Sequence, residues 1–329
     1  MRLLLLTLIL KLPLLAESRL ISFEKPYPTF GSIVRADPAL DDIILSNAKI
    51  EKLASGFIWA EGPVYVPDGD YVLFSDPKKG TAYKWKEGEG VSVFLKQSGG
   101  IAPNPGFKEP GSNGLFLDRD GNLLLCQHGL RRVVRYVHGK FESLADNIDG
   151  KRFNSPNDLT VHKNGSIYFT DPPYGLKGGW RSKLREVKFT GVYRVKPGRK
   201  VEIISTGLAP NGIGLSPDQK VLYVTHGRSI VRFHLNEDGS VSGSHKPFFD
   251  FRAAGLNGGP DGMAIDNRGN VFAGFLGGGV VVISPKGKYL GMIKTSVRTA
   301  NCAFGDDGHT LYITANDSLV RVRVKTKGL

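Results

Sequence analysis

Six oxygen-bearing side chains recur at one position of a repeated phrase: Glu61, Asn113, Asn157, Asn211, Asp261 and Asn301. Each opens a short apolar run that ends near a turn, as in Glu61-Gly-Pro-Val-Tyr-Val-Pro-Asp-Gly and Asp261-Gly-Met-Ala-Ile-Asp-Asn-Arg-Gly. Two of these openers are carboxylates and the other four are amides. Gathered around one axis, they would make a hard, oxygen-only site for one divalent cation. Ca2+ is expected first, with Mg2+, Mn2+ or Zn2+ as alternatives. Without an ion, two carboxylates near one axis repel and hold protons more tightly. Any single Asn-Gly pair also reads as a turn, because Asn and Asp tolerate left-handed backbone. The shared position in every repeat, with two acids present, is what points to a metal.

The elements that must position these residues are strands. The phrases start 52, 44, 54, 50 and 40 residues apart, a period that marks a β-propeller when each unit is built from strands and turns. Within a unit, apolar alternation such as Leu115 and Leu117 gives a first strand, and a pair such as Asp120-Gly121 gives a hairpin. Three further strands follow, the last one shorter, so the expected fold is all-β, a six-bladed propeller of four-stranded antiparallel blades around a central metal site. Residues 1–16 read as a signal peptide, 17–49 as an N-terminal extension and 50–329 as the propeller. The segment from Ile50 to Ala54 is expected to close the ring as the outer strand of the last blade.

Strand direction locates a second ring. If the first strand runs down and the second returns, the residues just after the second strand share a face with the openers. These are Asp76, His128, Asp171, His226, Phe275 and Asn316, each 14 or 15 residues after its opener. Two long loops border the same mouth, residues 96–112 and residues 172–190, the latter carrying Tyr174 and Trp180.

The formal net charge is +13, with Lys and Arg spread over many turns. This reads as a basic solvated surface or as attraction for anionic substrates or envelope polymers; no nucleic-acid motif accompanies it. Cys126 and Cys302 fall in non-neighbouring repeats and read as buried apolar residues rather than a disulfide. Arg2, the apolar run that follows and Ala16 resemble a secretory signal, so the protein is expected to be exported, periplasmic or secreted, with no membrane span once the signal is removed. The oligomeric state is open. No Gly-x-Ser-x-Gly elbow and no phosphate-binding glycine loop is present.

The ordered set Glu61-Gly-Pro, Ser155-Pro-Asn157-Asp-Leu, Pro210-Asn211-Gly-Ile and Pro260-Asp261-Gly-Met resembles the gluconolactonase family, which includes regucalcin (senescence marker protein). Ser112-Asn-Gly-Leu, Cys126-Gln-His128-Gly and the run from Phe169 to Leu176 resemble its bacterial gluconolactonase-like branch, although that branch is expected to carry Cys-Glu-His where this chain has Cys126-Gln-His128. The resemblance implies a metal-dependent hydrolase that opens the ester of a sugar lactone. It implies Glu61, Asn157, Asn211 and Asp261 as metal ligands, Asp261 as general base, and Asn113 at the substrate. His128 is a second candidate for substrate binding. Asp171, His226 and Asn301 are candidates for support from behind the ligands. Two other readings fit the same residues: a non-enzymatic binding propeller with a structural ion, and an esterase or phosphotriesterase.

Overall fold

A computed structural model describes residues 20–329; the expected signal segment, residues 1–16, lies outside them. The innermost strands of the six blades are Glu61–Val66, Ser112–Leu117, Leu159–Val161, Pro210–Leu215, Pro260–Ile265 and Thr299–Gly305. Each blade continues outward by antiparallel neighbours in chain order, for example Tyr71–Asp76, Thr81–Lys86 and Gly90–Lys96 in blade 1. The architecture is the expected six-bladed, all-β propeller. In blade 2 the hairpin after the innermost strand is held by a side chain: Asp118 accepts hydrogen bonds from the backbone N–H groups of Asp120 and Asn122, at 3.0 and 2.9 Å.

The ring closes through the chain's N-terminal side. Ile50–Ser55 pairs antiparallel with Ser318–Arg323 and completes blade 6. Residues 20–49 then run along the outside. Ile21–Ser22 pairs with Ser55 and Ala54, and Ser32–Arg35 adds a fifth strand to blade 5 through Gly291 to Lys294. The short 3-10 helix Pro38–Asp42, capped by Asp37, delivers Leu40 into the core between blades 5 and 6. Closure in this form leaves no open sheet edge between the first blade and the last.

The core is divided by the blades. Six apolar clusters fill the six junctions between neighbouring blades. Leu115, Leu125 and Val134 pack against Val64 and Leu73 between blades 1 and 2. Cys126 lies between blades 2 and 3 and Cys302 between blades 5 and 6; both are free and buried. No helix among the described residues is long and apolar enough to cross a membrane.

Candidate active site

Each innermost strand is distorted where its opener sits. Pro210 pairs with His226 but Ile213 pairs with Val224, so one extra residue is accommodated at Asn211-Gly212. The same shift occurs at Glu61, between Ser112 and Leu115, between Pro260 and Met263, and at Asn301. In blade 3, Asn157 and Asp158 both bond to Thr170, through Asn157 N–H to its carbonyl at 2.8 Å and its N–H to the Asp158 carbonyl at 3.0 Å. A β-bulge re-aims side chains, and here it recurs at the strand ends nearest the axis. Glycine after the opener permits close approach of neighbouring blades. A Cβ on Gly62, whose φ is +49°, would stand 2.2 Å from the Asn113 carbonyl oxygen.

Hydroxyls on the second strands lock the openers from behind. Thr225 Oγ1 accepts from Gly212 N at 2.7 Å and donates to the carbonyl oxygen of Asp261 in the next blade at 2.9 Å. Thr170 Oγ1 likewise donates to the Asn211 carbonyl at 2.6 Å. Ser75 and Ser112 hydroxyls meet at 2.7 Å between blades 1 and 2.

Five openers, Glu61, Asn113, Asn157, Asn211 and Asp261, line one cavity of about 280 Å3 together with Trp59, Lys78, Lys108, Glu109, Tyr174 and Arg298. Small-molecule sites typically span roughly 300–1,000 Å3, so this one suits a single small ligand. The sixth opener, Asn301, lies beneath. Its amide Nδ2 reaches Asp158 Oδ2 at 3.4 Å, and it packs where a side chain on Gly262 would stand.

Glu61 is fixed by the Trp59 indole N–H, 3.2 Å from Oε1, and by the Gly62 N–H, 3.1 Å from Oε2. Burial raises its proton affinity, and the neighbouring charge of Asp158 raises it further. Asp261 is raised in the same way, by burial first and then by Glu61 and Asp158. Asp158 is pushed up to about 7 by burial. Neither Glu61 nor Asp261 forms an ion pair among the described residues. Two buried carboxylates without a cationic partner, beside the side chains of Asn157 and Asn211, are a donor set that fits a divalent cation. No cluster of three or more His, Cys, Asp or Glu side chains able to hold an ion occurs among the described residues; the candidate set therefore depends on the amides.

The second ring caps the segments that lead into the openers. Asp76 Oδ2 accepts from Ile58 N at 2.8 Å. Asp171 accepts from Asn154 N and Ser155 N at 2.7 and 2.8 Å, just before Asn157. His226 Nδ1 accepts from Ala209 N at 2.8 Å, just before Asn211. Blade 2 differs. There Ser98 Oγ accepts from Ser112 N at 3.0 Å, and His128, fully buried, has both ring nitrogens without a hydrogen-bond partner. His128 stands behind Glu109, Nδ1 to Oε2 at 3.6 Å, and burial pushes it down to about 3, so it is neutral at physiological pH. His128, Asp171, His226 and Asn301 are not among the residues lining the cavity.

The two long loops brace each other at the mouth. Lys108 and Glu109 N–H groups both donate to the Gly175 carbonyl, at 2.9 and 3.1 Å. Tyr174 reaches the cavity wall, while Trp180 packs edge-on against Tyr174 from outside and is half exposed. Trp59, Lys78, Glu109, Arg298 and Asp158 were not legible as site residues in the repeat. Asp158 left a signal: it occupies the place where Gly62, Gly114, Gly212 and Gly262 follow four of the other five openers, Cys302 following the fifth.

Residues 59–317 match the SMP-30/Gluconolactonase/LRE-like region. The chain belongs to this family. It is 41% identical over 317 residues to the gluconolactonase of Zymomonas mobilis, covering 91% of this chain and 88% of that protein. It is 27% identical over 259 residues to the lactonase drp35 of Staphylococcus saprophyticus, covering 63% of this chain and 76% of that protein. Among solved structures, a gluconolactonase of Xanthomonas campestris superposes with a TM-score of 0.80 at 27% identity, covering 93% of this chain and all (100%) of that one.

Proposed function

We propose that the protein is a gluconolactonase-like hydrolase that opens the ester of a sugar lactone with the help of one divalent cation, Ca2+ before Mg2+, Mn2+ or Zn2+. The observation that carries this reading is the convergence of two buried, unpaired carboxylates, Glu61 and Asp261, with Asn157 and Asn211 on one small cavity. Membership of a family whose relatives are named for lactone hydrolysis supports it.

Glu61, Asn157, Asn211 and Asp261 would hold the ion. When bound, it supplies Lewis acidity to an ester carbonyl and makes a nearby water more acidic. Asp261, whose proton affinity burial raises, takes a proton from the water that adds to the carbonyl carbon. The ring C–O bond then breaks, and the proton passes to the departing ring oxygen, leaving an open-chain hydroxy acid. Asn113 offers an amide N–H to the developing oxyanion or to a sugar hydroxyl. Tyr174 and the braced loops limit water at the mouth. The Trp59 indole keeps Glu61 in one orientation.

The test is Asp261→Asn, assayed on D-glucono-δ-lactone above the spontaneous rate. Turnover at saturating ion is expected to fall by at least about 100-fold, while ion binding, measured by calorimetry, persists with the lower affinity that losing one ligand charge entails. Wild-type turnover in this variant would remove Asp261 as the base. Export belongs to the same reading, on the strength of Arg2 and the apolar run to Ala16, and N-terminal sequencing of the mature protein tests it.

A further inference from the structure

The wall of the cavity carries charge of both signs in separate layers. Glu61 and Asp261 are buried beside the amides, with Glu109 also buried near them. Lys78, Lys108 and Arg298 line the same cavity from the loops. Lys108 is largely exposed and lies 3.6 Å from Glu109. Lys78 and Arg298 are different: neither lies within ion-pair distance of a carboxylate among the described residues. Both cations instead sit over the ring of Trp59, each 5.0 Å from its centroid.

Among the described residues, Trp59 alone carries two cations over one ring. Another cavity of similar size, between blades 2 and 3, is also lined by cations, Arg135, Lys196 and Arg199. Each of those is neutralised: Arg135 by Asp118 at 2.8 Å, Lys196 by Glu202 at 2.7 Å, and Arg199 by Glu142. In the mouth of the candidate active site neither Lys78 nor Arg298 is ion-paired; each acts on a carboxylate only at longer range, Lys78 on Glu109 and Arg298 on Asp261. Three carboxylates and three cations line it in all and Asp158 adds a fourth carboxyl beneath the floor, so one divalent ion would leave the site with an excess of at least one positive charge.

We propose that the cavity prefers lactones that carry a second, anionic group remote from the ester, a phosphate or a carboxylate, and that Lys78 and Arg298 bind that group. This deepens the lactone-hydrolase reading and rests on it for the ester end of the ligand. A guanidinium and an ammonium lining one cavity suit a polyoxygen anion, the guanidinium by paired N–H donors and the ammonium as a compact charge. Packing on Trp59 holds both heads in place, which lowers the entropy lost on binding. The same Trp59 donates its N–H to Glu61, so the anion subsite and the candidate ion site share one rigid side chain.

The test compares kcat/KM for three probes on the full protein: neutral D-glucono-δ-lactone, its 6-phosphate, and D-glucaro-1,4-lactone, which carries a carboxylate. At least one anionic lactone is expected to exceed the neutral one by about tenfold or more, the size of one or more charge-assisted hydrogen bonds; which one does so identifies the group. The advantage is expected to shrink with added salt and to collapse toward unity in the Lys78→Gln/Arg298→Gln double variant. The charge-conserving Lys78→Arg variant is expected to retain most of it. An anionic-to-neutral ratio of one or below in the wild type, or a ratio unchanged in the double variant, overturns the proposal. Calorimetry with 6-phosphogluconate against gluconate separates this proposal from the activity. Tighter phosphate binding that depends on Lys78 and Arg298, without turnover of any lactone, would sink the hydrolase reading and keep the anion subsite. Turnover of neutral lactones with no preference for the phosphate in either assay would do the reverse.

Discussion

The side chains of Asn301 and Asp158 meet at 3.4 Å, Nδ2 to Oδ2, although their blades stand opposite each other in the ring. The contact closes the floor of the cavity and places a buried carboxyl beneath the candidate ligands. Its charge raises the proton affinity of both Glu61 and Asp261. Asp158→Asn puts an amide of the same shape at that place and removes the charge. The ion-free protein at pH 8 is expected to gain stability, on the order of 2 kcal/mol or more, because a buried unpaired charge disappears. Ion affinity is expected to fall severalfold, because one negative charge near the cation is lost. Denaturant melts and calorimetric ion titrations check the two effects together.

The pH dependence of the ion-free protein follows from the same burial. Asp158 and Asp171 are each pushed up to about 7, above the usual carboxylate range near about 4. A group whose folded pKa is raised contributes stability that is present below the unfolded value and lost as pH rises through the folded value. The chelated protein is therefore expected to lose thermal stability between about pH 4 and pH 7. An added divalent ion is expected to raise Tm more at pH 8 than at pH 5.5, since at low pH protons compete with it. Thermal melts across this range, with and without the ion, test the sign. A chelated protein that becomes steadily more stable over that interval would contradict it.

Thr225 ties two ligand-bearing strands together through Gly212 N and the Asp261 carbonyl. Thr225→Val conserves shape but leaves both backbone groups unpaired at a buried position. A stability loss of about 1–3 kcal/mol is expected, with ion affinity reduced by about tenfold or more, the usual effect of removing support behind a metal ligand. Thr225→Ser is expected to restore most of both.

Ring closure depends on apolar residues outside the repeats. Leu40 is fully buried between blades 5 and 6. Leu40→Ala is expected to cost about 2–5 kcal/mol, measured by denaturant unfolding, with little change in KM because the site is remote.

The repeats carried most of the fold. The openers and the hairpin pairs recur because every blade must solve the same two problems, turning the chain and bringing strands close at the axis. Five of the six openers line one cavity for that reason. The bulges that aim them were not visible, since an extra residue in a strand leaves no compositional mark; the glycine at Gly62 or Gly212 was its only trace. Asp171 and His226 face the openers' side but act on the backbone before Asn157 and Asn211, a distinction that residue type does not make. Lys78, Glu109 and Arg298 come from connections that differ in every blade, so no periodicity could single them out. Trp59 sits two residues before its opener, where the other phrases carry Gly111, Ser155, Ala209, Gly259 and Thr299, so no repeated residue type marks it.

The most direct measurement is the rate of acid release from D-glucono-δ-lactone above the spontaneous rate, before chelation, after chelation, and after Ca2+, Mg2+, Mn2+ or Zn2+ is added back. Activity that disappears on chelation and returns with at least one ion is the predicted result. Undiminished hydrolysis by a folded protein shown to be free of metal would contradict the account.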